Sequence, residues 1–289
     1  MIPPSFEYVV PKTIPEAIAL LDSNPEAKVL AGGHSLIPAM KIRLSSPAML
    51  IDINRIAGLS YLREESSWLK IGAMTCEADL DHSDLIQTKY PLLADTSRMI
   101  ADPLVRNKAT VGGNLAHADP ANDHPATMLA YGAQVVATGP KGERVIPIDQ
   151  FFEGPFTTAL AHDEVLTEIR IPAWKPMSGG AYFKVERKVG DFATAAVAAQ
   201  LTLDQNGKCA SIGIGLTNVG LTAIRATEAE AALKGKQPDE ANIKAAAKLA
   251  ADAAQPNGDP RGSEEYKRAL IKTLTVRAVR KAVERAKGG

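Results

Sequence analysis

With 289 residues, 45% of them hydrophobic and 23% charged, the chain has the composition of an ordinary folded protein with room for one large core or two. Lysine plus arginine and aspartate plus glutamate each total 33, so no net field draws the chain to nucleic acid or to an anionic membrane. The two cysteines, Cys76 and Cys209, cannot supply the four thiolates of an all-cysteine 2Fe–2S centre, so any such cluster must lie on another chain.

The N-terminus, Met1-Ile-Pro-Pro-Ser, lacks the basic region and apolar run of a signal peptide, and no apolar stretch is long enough to span a bilayer. A cytoplasmic chain is expected. Phe6 to Val9 suits a short strand. Thr13-Ile-Pro-Glu16 is a capping box with proline in the first turn and opens a helix. Lys28-Val29-Leu30 reads as a second strand, delivering Ala31-Gly32-Gly33-His34-Ser35-Leu36 at its C-terminal end, where α/β layers place ligands. A short helix over Pro38 to Leu44 and a strand over Met49 to Asp52 follow.

Leu59 to Ile71 reads as a hairpin turning at Arg63-Glu-Glu-Ser-Ser67, and helical spacing runs over Ala78 to Leu85 and Thr88 to Ile100. Ile100-Ala101-Asp102-Pro103 ends the second helix, because proline disfavours α geometry in the residue before it. Val105 to Lys108 leads into a second glycine loop, Thr110-Val-Gly112-Gly113-Asn114, and Pro125 to Tyr131 reads as a short helix. Gln134 to Thr138 and Arg144 to Ile148 flank Gly139-Pro-Lys-Gly142 as a hairpin, and Val165 to Ile171 reads as a strand.

Ala173 to Gly180, rich in turn-formers, reads as a linker, so residues 1–176 and 177–289 are expected to form two domains, the first divided near 55. Beyond it come strands over Ala181 to Arg187, Val197 to Leu203 and Ser211 to Leu216, the last two joined by an Asp204 to Gly207 turn. Helices follow over Thr227 to Lys234, Pro238 to Ala254 and Ser263 to Lys287. Tyr266, Leu270, Leu274 and Val279 give the last an apolar side, and Arg277, Arg280, Lys281 and Arg285 read as a solvated basic face.

Paired glycines expose backbone N–H groups where a side chain would block approach, an adjacent Asn can donate from its amide, and carboxylates downstream can accept from sugar hydroxyls. Two such loops on separate units can converge on one nucleotide diphosphate. Other chemistry lacks its motif. Neither a Walker phosphate loop nor a Rossmann G-x-G-x-x-G is present, and neither G-x-S-x-G nor a catalytic-cysteine signature occurs. His117 and His124 flank Asp119 and Asp123, but their setting among prolines and the glycine loop favours loop-capping or nucleotide binding over a metal site.

Ala31 to Leu36 and Thr110 to Asn114 together resemble the two FAD-binding loops of the flavoprotein subunits of molybdenum hydroxylases, the xanthine oxidase family. The resemblance runs essentially end to end. Chain length, Ile100 to Pro103 and Lys188 to Ala195 are most similar to the medium subunits of aerobic carbon monoxide dehydrogenases. It implies an α+β protein: a two-subdomain α/β FAD-binding fold of the vanillyl-alcohol-oxidase type, then a C-terminal domain of antiparallel sheet and helices.

By the same resemblance, Lys28, Val29, Leu30, Ala31, Gly32, Gly33, His34, Ser35 and Leu36 should wrap the FAD pyrophosphate, joined by Thr110, Gly112, Gly113 and Asn114. Asp123 should lie near the ribityl or ribose region, Ile100 and Ala101 should approach the isoalloxazine through backbone, and Val165 or Leu166 should pack near the ring system. Lys184 matches a family lysine, and Phe192 stands where carbon monoxide dehydrogenases tend to carry Tyr, keeping stacking but losing a hydroxyl. Ala118 and Ala121 replace glycines of some close relatives.

The implied role is electron transfer. A large molybdopterin subunit oxidises substrate, 2Fe–2S clusters on a small subunit relay electrons, and FAD on this chain passes them to quinone, O2 or NAD. The implied assembly is a dimer of heterotrimers, in contact with the inner membrane face through the complex if at all. Relatives oxidising aldehydes, purines or N-heterocycles share these motifs. A stand-alone FAD oxidase would need a base beside the flavin, which the sequence does not offer, and a redox-inactive assembly or nucleotide-sensing module would use the same loops.

Overall fold

The computed structural model describes residues 2–288. The first layer is a parallel three-stranded sheet: β1 (Glu7–Val9), α1 (Ile14–Ser23), β2 (Ala27–Leu30), α2 (Leu36–Lys41) and β3 (Met49–Asp52), with strand order β1–β3–β2. Thr13 caps α1 by accepting from the Glu16 N–H at 3.3 Å, while Glu16 accepts from the Lys12 N–H at 2.7 Å, one residue earlier than a reciprocal box requires. Ala17 and Leu21 of α1 pack on Ile51 of the central strand. The parallel crossover points the C-terminal end of β2, and so the first glycine motif, out of the layer.

The second sheet is antiparallel, in the order β4–β5–β10–β6–β7, built from β4 (Leu62–Glu65), β5 (Trp68–Gly72), β6 (Gln134–Gly139), β7 (Gly142–Pro147) and β10 (Val165–Pro172). Between β5 and β6 run α3 (Glu77–Asp81), α4 (Asp84–Lys89), α5 (Pro91–Met99), α6 (Pro103–Arg106), α7 (Val111–His117) and α8 (Asp123–Tyr131). A small hairpin, β8 (Phe152–Gly154) with β9 (Thr157–Thr158), precedes β10. Leu69, Ile71, Val135, Ile169 and Ile171 meet Tyr90, Leu93, Leu115 and Met128 in one core.

Two expectations are corrected here. Arg63, Glu64 and Glu65 lie in β4, not in a turn; the chain reverses at Ser66, with φ +56°. Charge is tolerated because β4 is an edge strand, and Glu65 pairs with Lys70 at 3.1 Å and Glu64 with Lys89 and Tyr90. The helix expected over Ala78 to Leu85 is broken where Ser83 caps α4.

The third sheet is antiparallel, in the order β11 (Ser178–Val185), β12 (Ala195–Leu203), β13 (Cys209–Thr217) and β14 (Ile224–Arg225), followed by α9 (Thr227–Leu233), α10 (Glu240–Ala253) and α11 (Glu264–Ala286). Gly179 and Gly180, read as linker, are inside β11, where a Cβ would strike the α11 backbone at Ala282 and the side chains of Gln200 and Leu92. Strand β12 is buried on both faces: Val197, Ala199 and Leu201 meet α10 and α11, while Ala196 and Ala198 meet Leu92, Ala126 and Tyr182. The α11 core face is Ile271, Leu274, Ala278, Val279 and Ala282, whereas Tyr266 is exposed. Arg285 is not solvated: it donates to Asp95 at 2.6 and 3.0 Å and to the Gly180 carbonyl at 2.7 Å. No helix among the described residues is long and apolar enough to cross a membrane.

Candidate functional site

The first glycine motif leaves β2 as an open turn. Gly33 has φ +76°, and its carbonyl accepts the Ile37 N–H at 3.0 Å to start α2. The N–H groups of Gly32, Gly33, His34 and Ser35 find no acceptor among the described residues. His34, Ser35 and Lys28 are exposed, and Val29, Leu30, Ala31 and Leu36 are half-buried around them. Successive unpaired N–H groups on a glycine turn form a concavity that takes an anion.

The second motif is built differently from the loop read in the sequence. Thr110 is the N-cap of α7, and Gly112, Gly113 and Asn114 are its first turn. Their N–H groups are all used: Val111 to the Thr75 carbonyl and Gly112 to that of Ala73, both at 3.0 Å, Gly113 to Thr110 Oγ1 at 3.1 Å, and Asn114 to the Thr110 carbonyl at 2.9 Å. These glycines therefore serve by their size. A Cβ at Gly112 would strike Ala73, and one at Gly113 would lie 2.7 Å from Thr110 Oγ1 and 3.7 Å from the Ala31 Cβ. The motif ends on Asn114, whose Oδ1 is buried without a partner among the described residues.

The two motifs meet. A Cβ on Gly32 would fall on the Lys108 carbonyl and the Ala109 backbone, so only glycine lets the first turn lie on the segment entering α7. Asn54 pins the same turn by donating to the Ala31 carbonyl at 2.9 Å, and Asn122 ties the end of the second motif by donating to the Asn114 carbonyl at 2.9 Å.

Beside this cradle, Ile100 and Ala101 link α5 to α6. Ala101 has φ +47°, and its N–H has no acceptor among the described residues. Lys184, from β11, reaches beneath them, donating to the Met99 carbonyl and to Asp123, both at 3.0 Å, with Glu186 at 3.4 Å. Asp123 also accepts from the Tyr182 hydroxyl at 2.6 Å. Both Asp123 oxygens are thus bonded inside the chain, and the residue, 6% exposed, is an anchor between the second and third sheets. Burial pushes its carboxyl above the usual range, against the pull of Lys184 and Tyr182. Val165 and Leu166 are buried in the first and second cores respectively. Phe192 lies half-exposed in the loop before β12, next to Asp191, which Arg187 and Arg261 hold.

Three features escaped sequence reading. His124 turns to Glu77, 2.7 Å away and wholly buried, rather than toward His117 or Asp119. Tyr182 completes the Asp123 anchor, and Arg106 donates to the carbonyls of Ile100 and Ala101 at 3.2 and 3.3 Å. No local signal announces the first two, because each partner lies on another element; Arg106 is only five and six residues from its acceptors, but the turn that brings them together has no distinctive residue pattern.

Against known proteins, residues 4–174 match the profile described as the FAD binding domain in molybdopterin dehydrogenase, and residues 180–282 that of the CO dehydrogenase flavoprotein C-terminal domain. The chain belongs to the FAD-binding subunits of the molybdopterin dehydrogenases. It is 47% identical over 284 residues to the carbon monoxide dehydrogenase medium chain of Hydrogenophaga pseudoflava, covering 98% of each chain. It is 44% identical to that of Afipia carboxidovorans, over 99% of this chain and 100% of the relative. A chain of the solved Hydrogenophaga pseudoflava carbon monoxide dehydrogenase lacking the Mo-pyranopterin moiety superposes with a TM-score of 0.96, at 49% identity and over 99% of both chains.

The residues present suit the cofactor of an FAD-binding subunit. A diphosphate needs clustered donors without carboxylates in the way, and the unpaired N–H groups of Gly32 to Ser35 supply them. Asn114, the residue after Gly113, carries an Oδ1 with no partner among the described residues, an acceptor free for a donor of the nucleotide. The subunit is thus an oxidoreductase component of the molybdenum hydroxylase type with FAD as its cofactor, in an α+β fold.

Proposed function

We propose that this chain is the FAD-bearing electron-transfer subunit of a carbon monoxide dehydrogenase-type complex. FAD supplies one- and two-electron exchange when bound. The chain's part is to hold it: Gly32 to Ser35 take the diphosphate, Asn114 takes a polar group beside it, and Ile100, Ala101 and Phe192 border the ring. Lys184 and Asp123 act from beneath by fixing the Met99 carbonyl. The observation that carries this is the contact between the two motifs through Gly32 and Gly113, with unpaired N–H donors on the first and the unpartnered Asn114 Oδ1 on the second.

Partners follow from what the chain lacks. With two cysteines, one half-buried and one buried, it holds no complete 2Fe–2S site, so a small iron–sulfur subunit and a large molybdopterin subunit supply the rest, two heterotrimers to the assembly. The acceptor is external (quinone, O2 or NAD), and the complex is cytoplasmic, at most peripheral to the membrane. Residues 1–176 hold the cofactor, in subdomains divided near 55, and 177–289 close over it.

Tagged chain recovered from its native cells tests this. Two further polypeptides should copurify, and flavin absorbance should bleach when carbon monoxide is added. Bleaching by an aldehyde or N-heterocycle instead would move the complex to another branch of the family. A preparation without flavin that takes up none when FAD is added would overturn the cofactor reading.

A further inference from the structure

We propose that Arg106 is a positioning residue that sets two backbone N–H donors toward the flavin by gathering the carbonyl groups behind them. This rests on the reading that Ile100 and Ala101 face the flavin. Three successive carbonyls are held by cations here: Met99 by Lys184 at 3.0 Å, and Ile100 and Ala101 by the same Arg106 nitrogen at 3.2 and 3.3 Å. In a trans peptide the N–H points opposite to its C=O. With the carbonyls of Ile100 and Ala101 both turned to the guanidinium, the N–H groups of Ala101 and Asp102 are turned the other way, and neither finds an acceptor among the described residues.

The backbone does not adopt this arrangement freely. Ala101 sits at φ +47°, in the left-handed region that is unfavourable to an L-residue. Arg106 holds it from one side. From the other, Gly190, itself at φ +79°, lies so close that a Cβ there would come 2.7 Å from the Ala101 carbonyl oxygen. The guanidinium is aimed in turn by Asp81, 3.7 Å away, which also accepts from Arg98 at 3.0 Å. Donors fixed in advance, with a full positive charge behind them, favour an electron-rich heteroatom edge that gains negative charge on reduction.

The test uses the complex copurified with the tagged chain and compares wild type, R106Q, A101G and the double variant. R106Q is expected to weaken FAD binding about tenfold, the equivalent of the left-handed cost no longer held, and to shift the flavin midpoint potential to more negative values. Glycine takes a positive φ without help, so A101G in the R106Q background should bring FAD affinity back to within about threefold of wild type. It should not restore the potential, because the charge is still missing. An arginine that merely braced α6 against α3 would show neither the selective rescue nor the shift in potential. R106Q with wild-type affinity and potential, or a double variant no better than R106Q, overturns the proposal. Should R106Q not accumulate, R106K keeps the charge but loses the forked donor, and A101G should rescue its affinity in the same way. A wild-type complex with no flavin at all would be a different failure, that of the cofactor reading.

Discussion

Lys184 and Asp123 stand 61 residues apart in sequence and meet at 3.0 Å, with the lysine side chain fully shielded from solvent. One belongs to β11 of the third sheet and the other to the first turn of α8 in the second. The same ammonium holds the Met99 carbonyl, one residue before the segment proposed to face the ring. On the proposed placement of the ring, the third sheet supports the cofactor site from beneath.

Removing one partner of a buried pair strands the other charge. Lys184→Met is expected to destabilise the chain by about 3–5 kcal/mol in urea denaturation. Adding Asp123→Leu should recover part of that loss, since the uncompensated carboxylate disappears with it. Costs that simply add would show that the two do not act as a pair.

The glycines separate backbone cost from site cost. Gly58 has φ +82° with nothing within 4 Å of its missing Cβ, so Gly58→Ala should cost about 1 kcal/mol and leave flavin content unchanged. Gly32→Ala places its methyl group on the Lys108 carbonyl, and the first motif must lift off the segment entering α7. Flavin content of the purified complex should fall to a small fraction. Retained flavin in Gly32→Ala would show that the contact between the motifs is dispensable.

Asp191 gives a pH signature. Its carboxyl, held by Arg187 and Arg261, is pulled down to about 2 from an ordinary value of 3.8. A depressed carboxylate adds stability that is fully present above its unfolded value and is lost as pH falls through the folded one. Wild type should therefore exceed Asp191→Asn in urea midpoint at pH 5, with the gap shrinking steadily as pH is lowered from 4 toward 2. A gap indifferent to pH across that window would show that Asp191 does not act through its charge.

Arg285 and Asp95, 190 residues apart, form a two-pronged ion pair at 2.6 and 3.0 Å. Arg285→Ala removes it together with the bond to the Gly180 carbonyl, a loss of about 1.5–3 kcal/mol. Limited proteolysis at 173–177 should accelerate in the variant, and an unchanged cleavage rate would argue against a latch.

Much of this was legible locally. Thr13 with Glu16, Gly32 with Gly33, and the Asp204 to Gly207 turn each carry their reason within a few residues. The second motif misled because two adjacent glycines weaken a helix in isolation. Here the Thr110 cap and the carbonyls of Ala73 and Thr75, contributed by a distant segment, take the N–H groups and fix the turn. Arg285 read as solvated because Asp95 is invisible to any window around it. Asp123 shows the same limit: only the folded chain reveals that Tyr182 and Lys184 are bonded to it.

The Arg285 latch also bears on how freely the third sheet can move. Through Arg285, Asp95 of α5 is tied to the Gly180 carbonyl of β11, and four residues further along each element the Met99 carbonyl is tied to Lys184. One attachment would leave a pivot. Two, spaced by a turn of helix, fix the rotation of β11 against α5 as well as their separation. The segment that follows α5 therefore cannot swing away from the third sheet without exposing a buried charge.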